Sequence, residues 1–403
     1  MTLQNYLQQN LPRYLDHLRG WVEINSFTAN PAGVDAVADR IAAAFEPLGF
    51  EAERIHSVNP DFGHHLVLTR RGSGGPKLGL ISHLDTVFPP EEEAANDFHW
   101  RVSGDRIYGP GTNDIKGGTL MMLMVLDAFR EFAPAEFDAV TWVLLFNAAE
   151  ETLSPDFGAL CRERLADGRA ALVFEAGFHE EGVFQLVTQR KGMVTYHVRV
   201  EGKSSHAGSQ HALGANAIVQ TAQVVERIAA LTDYTQDLTF NVGVISGGVV
   251  TNRVPHHAEA RGEMRTFELP VFEQGIRDLL AVQDLPKITS ADGFSCRVEI
   301  EITRKTMPWP PNPETEKLFA LWKAAAADLG WNVRPEARGG LSDGNHLWDL
   351  LPTLDGLGPS GANGHCSERS PDGSKDQEFV SISSFVPKAV LNFEAMRRLI
   401  ADN

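Results

Sequence analysis

The sequence predicts an α/β fold in which a mostly parallel sheet covered by helices is interrupted by an inserted ferredoxin-like α+β domain. Three observations predict it. Short apolar runs alternate with helical stretches through the first 189 residues, the pattern of strands buried on both faces. Between 190 and 304 the strand-like runs alternate apolar with polar residues instead, as in a sheet with one wet face. From 305 onward helical periodicity returns. A chain of 403 residues also exceeds one ordinary core, which agrees with two domains, 1–189 with 305–403 and 190–304.

Taken in order, Leu11, Leu15, Leu18 and Val22 recur at helical spacing, as do Val34, Val37, Ile41, Phe45 and Leu48. HHLVLTR, KLGLISHLD, TWVLLFNAAEE and AALVFEAG read as strands, with a helix over Gly117–Phe132 between two of them. GSGG at 72–75 lacks the Lys-Ser/Thr of a phosphate-binding loop and reads as a hairpin turn. In the insertion, Val194, Tyr196, Val198 and Val200 form the inward side of a strand. A helix through Ile218, Ala222, Val225 and Ile228 follows, then the strand-like LTFNVGVIS and HAEARGEMR. A second helix (Phe272, Ile276, Leu279, Leu280) leads to a strand with Cys296, Val298, Ile300 and Ile302 inward. That β-α-β-β-α-β order is ferredoxin-like, and its open helical layer and sheet edge can pair with a second copy. The Pro-rich MPWPPNPE (307–314) leads into an amphipathic helix, ETEKLFALWKAAAADLG, and a last helix holds Val390, Phe393 and Leu399.

Composition excludes several functions. Hydrophobic residues at 43% and charged ones at 22% are the balance of a globular chain rather than a disordered one. Asp+Glu outnumber Lys+Arg by 53 to 36, for a net charge of −17, which argues against nucleic acid or an anionic membrane as partner. No apolar stretch approaches the ~18 residues that cross a bilayer. The first residues lack the basic start and apolar run of a signal peptide, so a cytoplasmic protein is expected. Cys161, Cys296 and Cys366 are odd in number and scattered, which excludes a disulfide framework and a CxxC metal clip.

The residues that carry chemistry stand at strand ends, where open α/β sheets bind ligands. LISHLDTVFP sets His83 and Asp85 two apart, hence on one face of a strand. His83 can then ligate a metal while a carboxylate fixes its ring, although turn backbone can satisfy both equally. Asp114 stands in the Gly-rich turn IYGPGTNDIKGG before a helix, as a ligand or as an N-cap. Glu150 and Glu151 close the apolar run VLLFNAAEE. Adjacent carboxylates there are costly to desolvate unless a cation is near, although solvent beyond the strand end serves as well. Glu175 ends LVFEAG, and His365 follows the flexible GPSGANG. Mixed imidazole and carboxylate donors suit zinc or a similar metal, and a bridging carboxylate suits two ions about 3.5 Å apart.

HLDTVFP, GPGTNDIKGG, the Glu-Glu pair, FEAG, GKSSHAG and the late His stand in the order found in the M20 metallopeptidases and amidohydrolases. Over nearly its whole length the chain resembles that family, and within it the glutamate carboxypeptidases of the carboxypeptidase G2 type. The resemblance implies a dinuclear metal-dependent carboxypeptidase or amidohydrolase that cleaves a small amide substrate bearing a free carboxylate. It implies two divalent ions per chain, zinc first, with cobalt or manganese able to use the same ligands. His83 and Glu175 would hold one ion, Glu151 and His365 the other, and Asp114 both. Asp85 would orient His83. Glu150 would act as general base on the metal-activated water and then as proton donor to the leaving nitrogen. The family's inserted domain mediates dimerisation and closes over the site, so a homodimer is implied. His206 in GKSSHAG matches the histidine that reaches the neighbouring subunit's site and stabilises the oxyanion. Asn252 in GGVVTNRVP and Arg265 in GEMR match positions that bind a substrate carboxylate, for which the planar Arg fork is suited.

In many relatives an acidic residue and an aromatic closely follow the late His. Here the charged, turn-rich HCSERSPDGSKDQEFV intervenes, so Glu368 is expected to take a local role and the pocket rim to differ. The alternative substrate class is an N-acyl amino acid, cleaved by a deacylase of the acetylornithine or aminoacylase kind. Gly340-Leu341-Ser342-Asp343-Gly344 also fits the G-x-S-x-G of a serine hydrolase, with Asp355 and His365 in the right order. The VRPEARGG before it is no apolar strand, which disfavours that class. A non-catalytic binding protein would have lost a ligand or the base, and all of them are present.

Overall fold

The computed structural model describes residues 1–402, which divide into two units. One comprises 1–188, 311–337 and 342–402, the other 189–310 with 338–341.

Period-two alternation along the strands gives the first unit its layers. Leu66, Leu68, Leu78, Leu80, Leu144 and Phe146 enter one core, and Val67, Ile81, Val143, Leu145, Ala171 and Val173 enter a second. The sheet between them runs in the order Glu51–Ile55, His65–Arg70, Thr141–Asn147, Lys77–His83, Ala170–Val173, Thr353–Leu354. Pairings among the last four strands are parallel, and the two pairings at the other edge are antiparallel. The Gly117–Phe132 helix is buried as far as Phe129. It shares its core with the helices Leu3–Val22, Pro313–Asp328 and Ile382–Ala401. Asp127 ties it to the N-terminal helix by accepting from Tyr6, Arg13 and Tyr14 at 2.5 to 2.9 Å.

The GSGG segment is not the expected hairpin turn. The Thr141–Asn147 strand lies between the two strands that GSGG joins, so the segment carries the chain past that strand's start. Ser73 and Gly75 donate to the carbonyls of Asp138 and Ala139. A Cβ at Gly72 would fall 2.0 Å from the Ala139 oxygen. Close backbone approach, rather than turn geometry, requires glycine there.

A small antiparallel sheet matters for the site. Phe379–Ser381 pairs with Arg106–Tyr108, which sets the residues just before Phe379 beside the Gly-rich turn that follows Tyr108.

In the second unit the strands lie in the order Thr239–Gly247, His257–Thr266, Gly192–Glu201, Arg297–Thr306, all antiparallel. With helices Ala217–Ala229 and Leu269–Ala281 this is the ferredoxin-like βαββαβ arrangement. Val194, Tyr196, Val198, Val200, Cys296 and Ile300 are buried against Val224, Ile228, Phe272 and Leu279, the inward set that the alternation predicts. The Thr239–Gly247 strand departs from it: a bulge shifts the register between Val242 and Val244, and Val244 and Ile245 beyond it are exposed. Among the described residues no helix is long and apolar enough to cross a membrane.

Candidate metal centre

Parallel strands that end at one edge of a sheet bring their following loops together. His83 is the last residue of Lys77–His83. Glu150 and Glu151 stand in the turn after Thr141–Asn147, and Glu175 follows Ala170–Val173. Asp114 projects from the irregular turn Thr112–Lys116 ahead of the buried helix, and its peptide bond to Ile115 is cis. His365 stands in a loop with a left-handed backbone (φ 66°).

The structure brings all five expected ligands together. Asp114 faces both imidazoles, with Oδ1 3.0 Å from His83 Nε2 and Oδ2 3.3 Å from His365 Nε2. Glu175 Oε1 lies 4.0 Å from His83 Nε2, and Glu151 Oε2 lies 3.1 Å from His365 Nε2. Ligand atoms of His83, Asp114 and Glu151 all fall within 4.8 Å of one another. His83 is fully buried, whereas His365 is half exposed at 53%, so one end of the cluster opens to solvent.

Electrostatics show that this cluster suits cations. Burial would lower the His83 imidazole, but Asp114, Asp85 and Glu175 more than reverse that and hold it well above its ordinary value. Hydrogen bonds to Asp114 and Glu151 push His365 up to about 11. Burial would raise Asp114, yet both imidazoles hold it well below the usual carboxylate range. Burial pushes Glu150 well above that range, with Asp343, Glu175 and Glu151 adding to the effect and His83 opposing it. Oε1 of Glu151 is buried without a hydrogen-bond partner. Clustered carboxylates, an orphaned oxygen and two imidazoles that offer Nε2 form a donor set that fits divalent metal.

Asp85 contacts both His83 and the turn that follows Thr141–Asn147. Its carboxylate Oδ1 lies 3.4 Å from His83 Nδ1, while its backbone oxygen is nearer at 3.0 Å. The carboxylate also accepts from the amides of Glu150 (3.0 Å) and Glu151 (3.2 Å) and from the Thr28 hydroxyl (2.6 Å). One buried side chain thus clamps the turn that carries both glutamates.

Three further residues support the site without any motif that marks them for it. Asn147 donates to Asp343 Oδ1 at 2.9 Å and accepts from the Ala149 amide, bracing the same turn. Burial pushes Asp343 up to about 7, with Asp85 and Asp355 contributing and His83 and Asn147 opposing. Glu378 is fully buried and accepts from the amides of Asn113 and Asp114. Burial, with the charges of Asp114 and Glu151, pushes it up to about 8. Glu378 and Phe379 end the charged excursion that follows His365, and the length of that excursion hides the contact with the Asp114 turn in the sequence. Glu368, expected in a local role, pairs within the exposed excursion, with Lys375 2.5 Å away.

Ser342 is no nucleophile. It is buried, caps the short helical turn Asp343–His346 and donates to Asp355 at 2.8 Å. His365 faces Asp114 and Glu151 instead. A serine needs an imidazole within reach to lose its proton, so the serine-hydrolase reading fails.

His206, Asn252 and Arg265 belong to the second unit. His206 is exposed, and its Nδ1 accepts from the amides of Gly208 and Ser209 at 3.1 Å each, which leaves Nε2 as the protonated nitrogen. The Asn252 loop pairs with it, since Ala207 donates to the Asn252 carbonyl. Arg265 stands elsewhere, with its fork on Glu263 (2.8 and 3.1 Å) and Nη1 on the Gly339 carbonyl. Asn252 lies beyond the start of the His257–Thr266 strand and Arg265 at its far end, about 25 Å away at ~3.3 Å per residue. Within one chain the two do not meet on a single small carboxylate.

Metal entry at these imidazoles must displace protons. Zinc added to metal-free protein near neutral pH is expected to release about two protons per chain, from His83 and His365. Zinc affinity is then expected to rise with pH for as long as either raised imidazole still holds its proton. Calorimetry in buffers of different ionisation enthalpy reads the protons directly. Zinc uptake without proton release, or with pH-independent affinity, would contradict the charge balance described.

Comparison with known proteins agrees with this geometry. Residues 79–379 match the peptidase family M20/M25/M40. The chain is 29% identical over 377 residues to carboxypeptidase G2 of Pseudomonas sp. (strain RS-16), covering 93% of this chain and 86% of that one. It is 26% identical over 275 residues to an acetylornithine deacetylase of Pectobacterium carotovorum, covering 64% and 69%. Its fold is similar to that of a tripeptidase from Staphylococcus aureus, with a TM-score of 0.76 at 22% identity over 98% of this chain and 99% of the other. With a family match over most of its length, on a fold and a donor set of this kind, the chain belongs to peptidase family M20/M25/M40.

Proposed function

We propose that the protein is a zinc-dependent, dinuclear amide hydrolase that acts on a small peptide or N-acyl amino acid with a free carboxylate, glutamate-like first. The observation that carries this reading is Asp114, whose two oxygens each face a different imidazole. His83 and Glu175 would hold one ion, His365 and Glu151 the other, and Asp114 both. Zinc there supplies Lewis acidity toward water and toward an amide carbonyl.

The chain's own residues do the rest. Glu150, held by Asp85 through its amide, takes the proton of the attacking water and delivers it to the leaving nitrogen. Its raised affinity for a proton suits the second half of that task. His206 of the partner subunit donates from Nε2 to the oxyanion that forms at the carbonyl. Arg265, with Asn252 of the partner subunit, receives the substrate carboxylate. The glutamyl assignment is supported by the likeness to carboxypeptidase G2. The deacylase alternative is supported by the weaker likeness to acetylornithine deacetylases.

The separation of Asn252 from Arg265 within one chain favours a site completed by a second copy. The second unit offers a surface for it: Thr239–Gly247 is a sheet edge, and Ile218, Val219, Val244, Ile245, Val249 and Val250 are exposed on or near it. Apolar edges of this kind pair. Sedimentation is expected to show a dimer that Ile245→Asp converts to a monomer of much lower turnover. A fully active wild-type monomer would sink the shared site.

The reaction itself is tested by comparing hydrolysis of aryl- or peptidyl-glutamates with that of simple N-acetyl amino acids, for wild type and Glu150→Ala. Wild type is expected to prefer the glutamyl amides. Glu150→Ala is expected to keep its metal while turnover falls by about 10²- to 10⁴-fold. Equal or better hydrolysis of N-acetyl amino acids would turn the assignment to the deacylase class, and unchanged turnover would remove Glu150 as proton carrier.

A further inference from the structure

We propose that Glu378 is a positioning residue for Asp114: through two backbone amides it holds the turn from which Asp114 reaches both imidazoles. The proposal rests on the metal-centre reading above and adds to it a residue that touches no metal.

The Thr112–Lys116 turn cannot hold its own shape by regular hydrogen bonding. Asp114 (φ −122°, ψ 89°) and Ile115 (φ −136°, ψ 36°) are non-helical, and the regular helix begins only at Gly117. The flanks of the turn are tied within the chain, Thr112 to the Gly109 carbonyl and Lys116 to that of Gly111. Between them the Asn113 and Asp114 amides point to one atom, Glu378 Oε1, at 2.9 and 3.1 Å. Glu378 is fully buried, and a buried acceptor that serves two adjacent amides fixes their peptide planes. Rotation of those planes would move the Asp114 carboxylate off one imidazole or the other.

The same anchor explains how the chain tolerates its long excursion after His365. Both ends of the excursion attach to Asp114, His365 on its carboxylate and Glu378 on its amide. The base is closed by the Glu378 amide donating to the Cys366 carbonyl at 2.8 Å, and a second bond, Ser370 to Lys375, pinches it again. Glu378 is held in turn by the adjoining strand, which pairs with Arg106–Tyr108. Added length therefore leaves the anchor where Asp114 needs it.

Three variants test this. E378Q keeps an oxygen able to accept both amides, E378D withdraws the oxygens by one methylene, and E378L removes them. Zinc(II) uptake by each metal-free protein is measured by competition with a chromophoric chelator, after circular dichroism has shown which variants are folded. E378L and E378D are expected to bind at least one of the two ions about 10- to 100-fold more weakly than wild type, and E378Q is expected to stay near wild type. If E378L does not fold, E378D against E378Q decides. Wild-type affinity in E378D and E378L, or an equal loss in E378Q, would overturn the proposal while the metal centre stands. Wild-type protein that takes up no zinc would overturn both.

Discussion

Two imidazoles share one carboxylate. Asp114 can face His83 and His365 together only while its backbone turn is held in a non-helical shape, and much of the first unit serves to hold it. The turn lies between a small sheet and a helix with almost no exposed surface, and Thr112, Asn113, Ile115 and Lys116 on either side of the partly exposed Asp114 are buried, which limits how far its backbone can move. Hydrogen bonds worth about 0.5 to 1.5 kcal/mol each would not suffice singly. They act here on a backbone that the core already confines.

A second clamp works on the opposite wall. Asp85 accepts from two successive amides of the Glu150-Glu151 turn, while Asn147 braces that turn against Asp343. In the proposed mechanism the two neighbouring glutamates would then be aimed independently, Glu151 at the metal site and Glu150 at the reacting atoms. Both clamps share a design, in which a buried acid takes hydrogen bonds from two consecutive backbone amides, at 85 for one wall and at 378 for the other.

Much of this was legible in the sequence, and the remainder was hidden for identifiable reasons. Period-two alternation foretold which residues of Gly192–Glu201 point inward, because a strand with one wet face must alternate. The strand-end positions of His83, Glu151 and Glu175 foretold convergence, because parallel strands deliver their loops to one edge. GSGG misled because strand pairing is a long-range property, and the intervening strand is formed some seventy residues later. Val244 and Ile245 read as ordinary strand residues because a bulge leaves no mark in apolar periodicity. Glu378 was hidden by chain length: folding closes the excursion at its base and erases the distance from His365. Asn252 and Arg265 match one function by motif, yet motifs carry no distances, and only the strand between them shows that they lie at opposite ends.

In the proposed centre Asp114 would bridge two metals. Anomalous diffraction at the zinc edge from crystals of the zinc-loaded protein tests it most directly. Two peaks about 3.5 Å apart, each with one Asp114 oxygen among its nearest neighbours, are the expected result. A single peak, or two that leave Asp114 outside ligating distance of either, would contradict it.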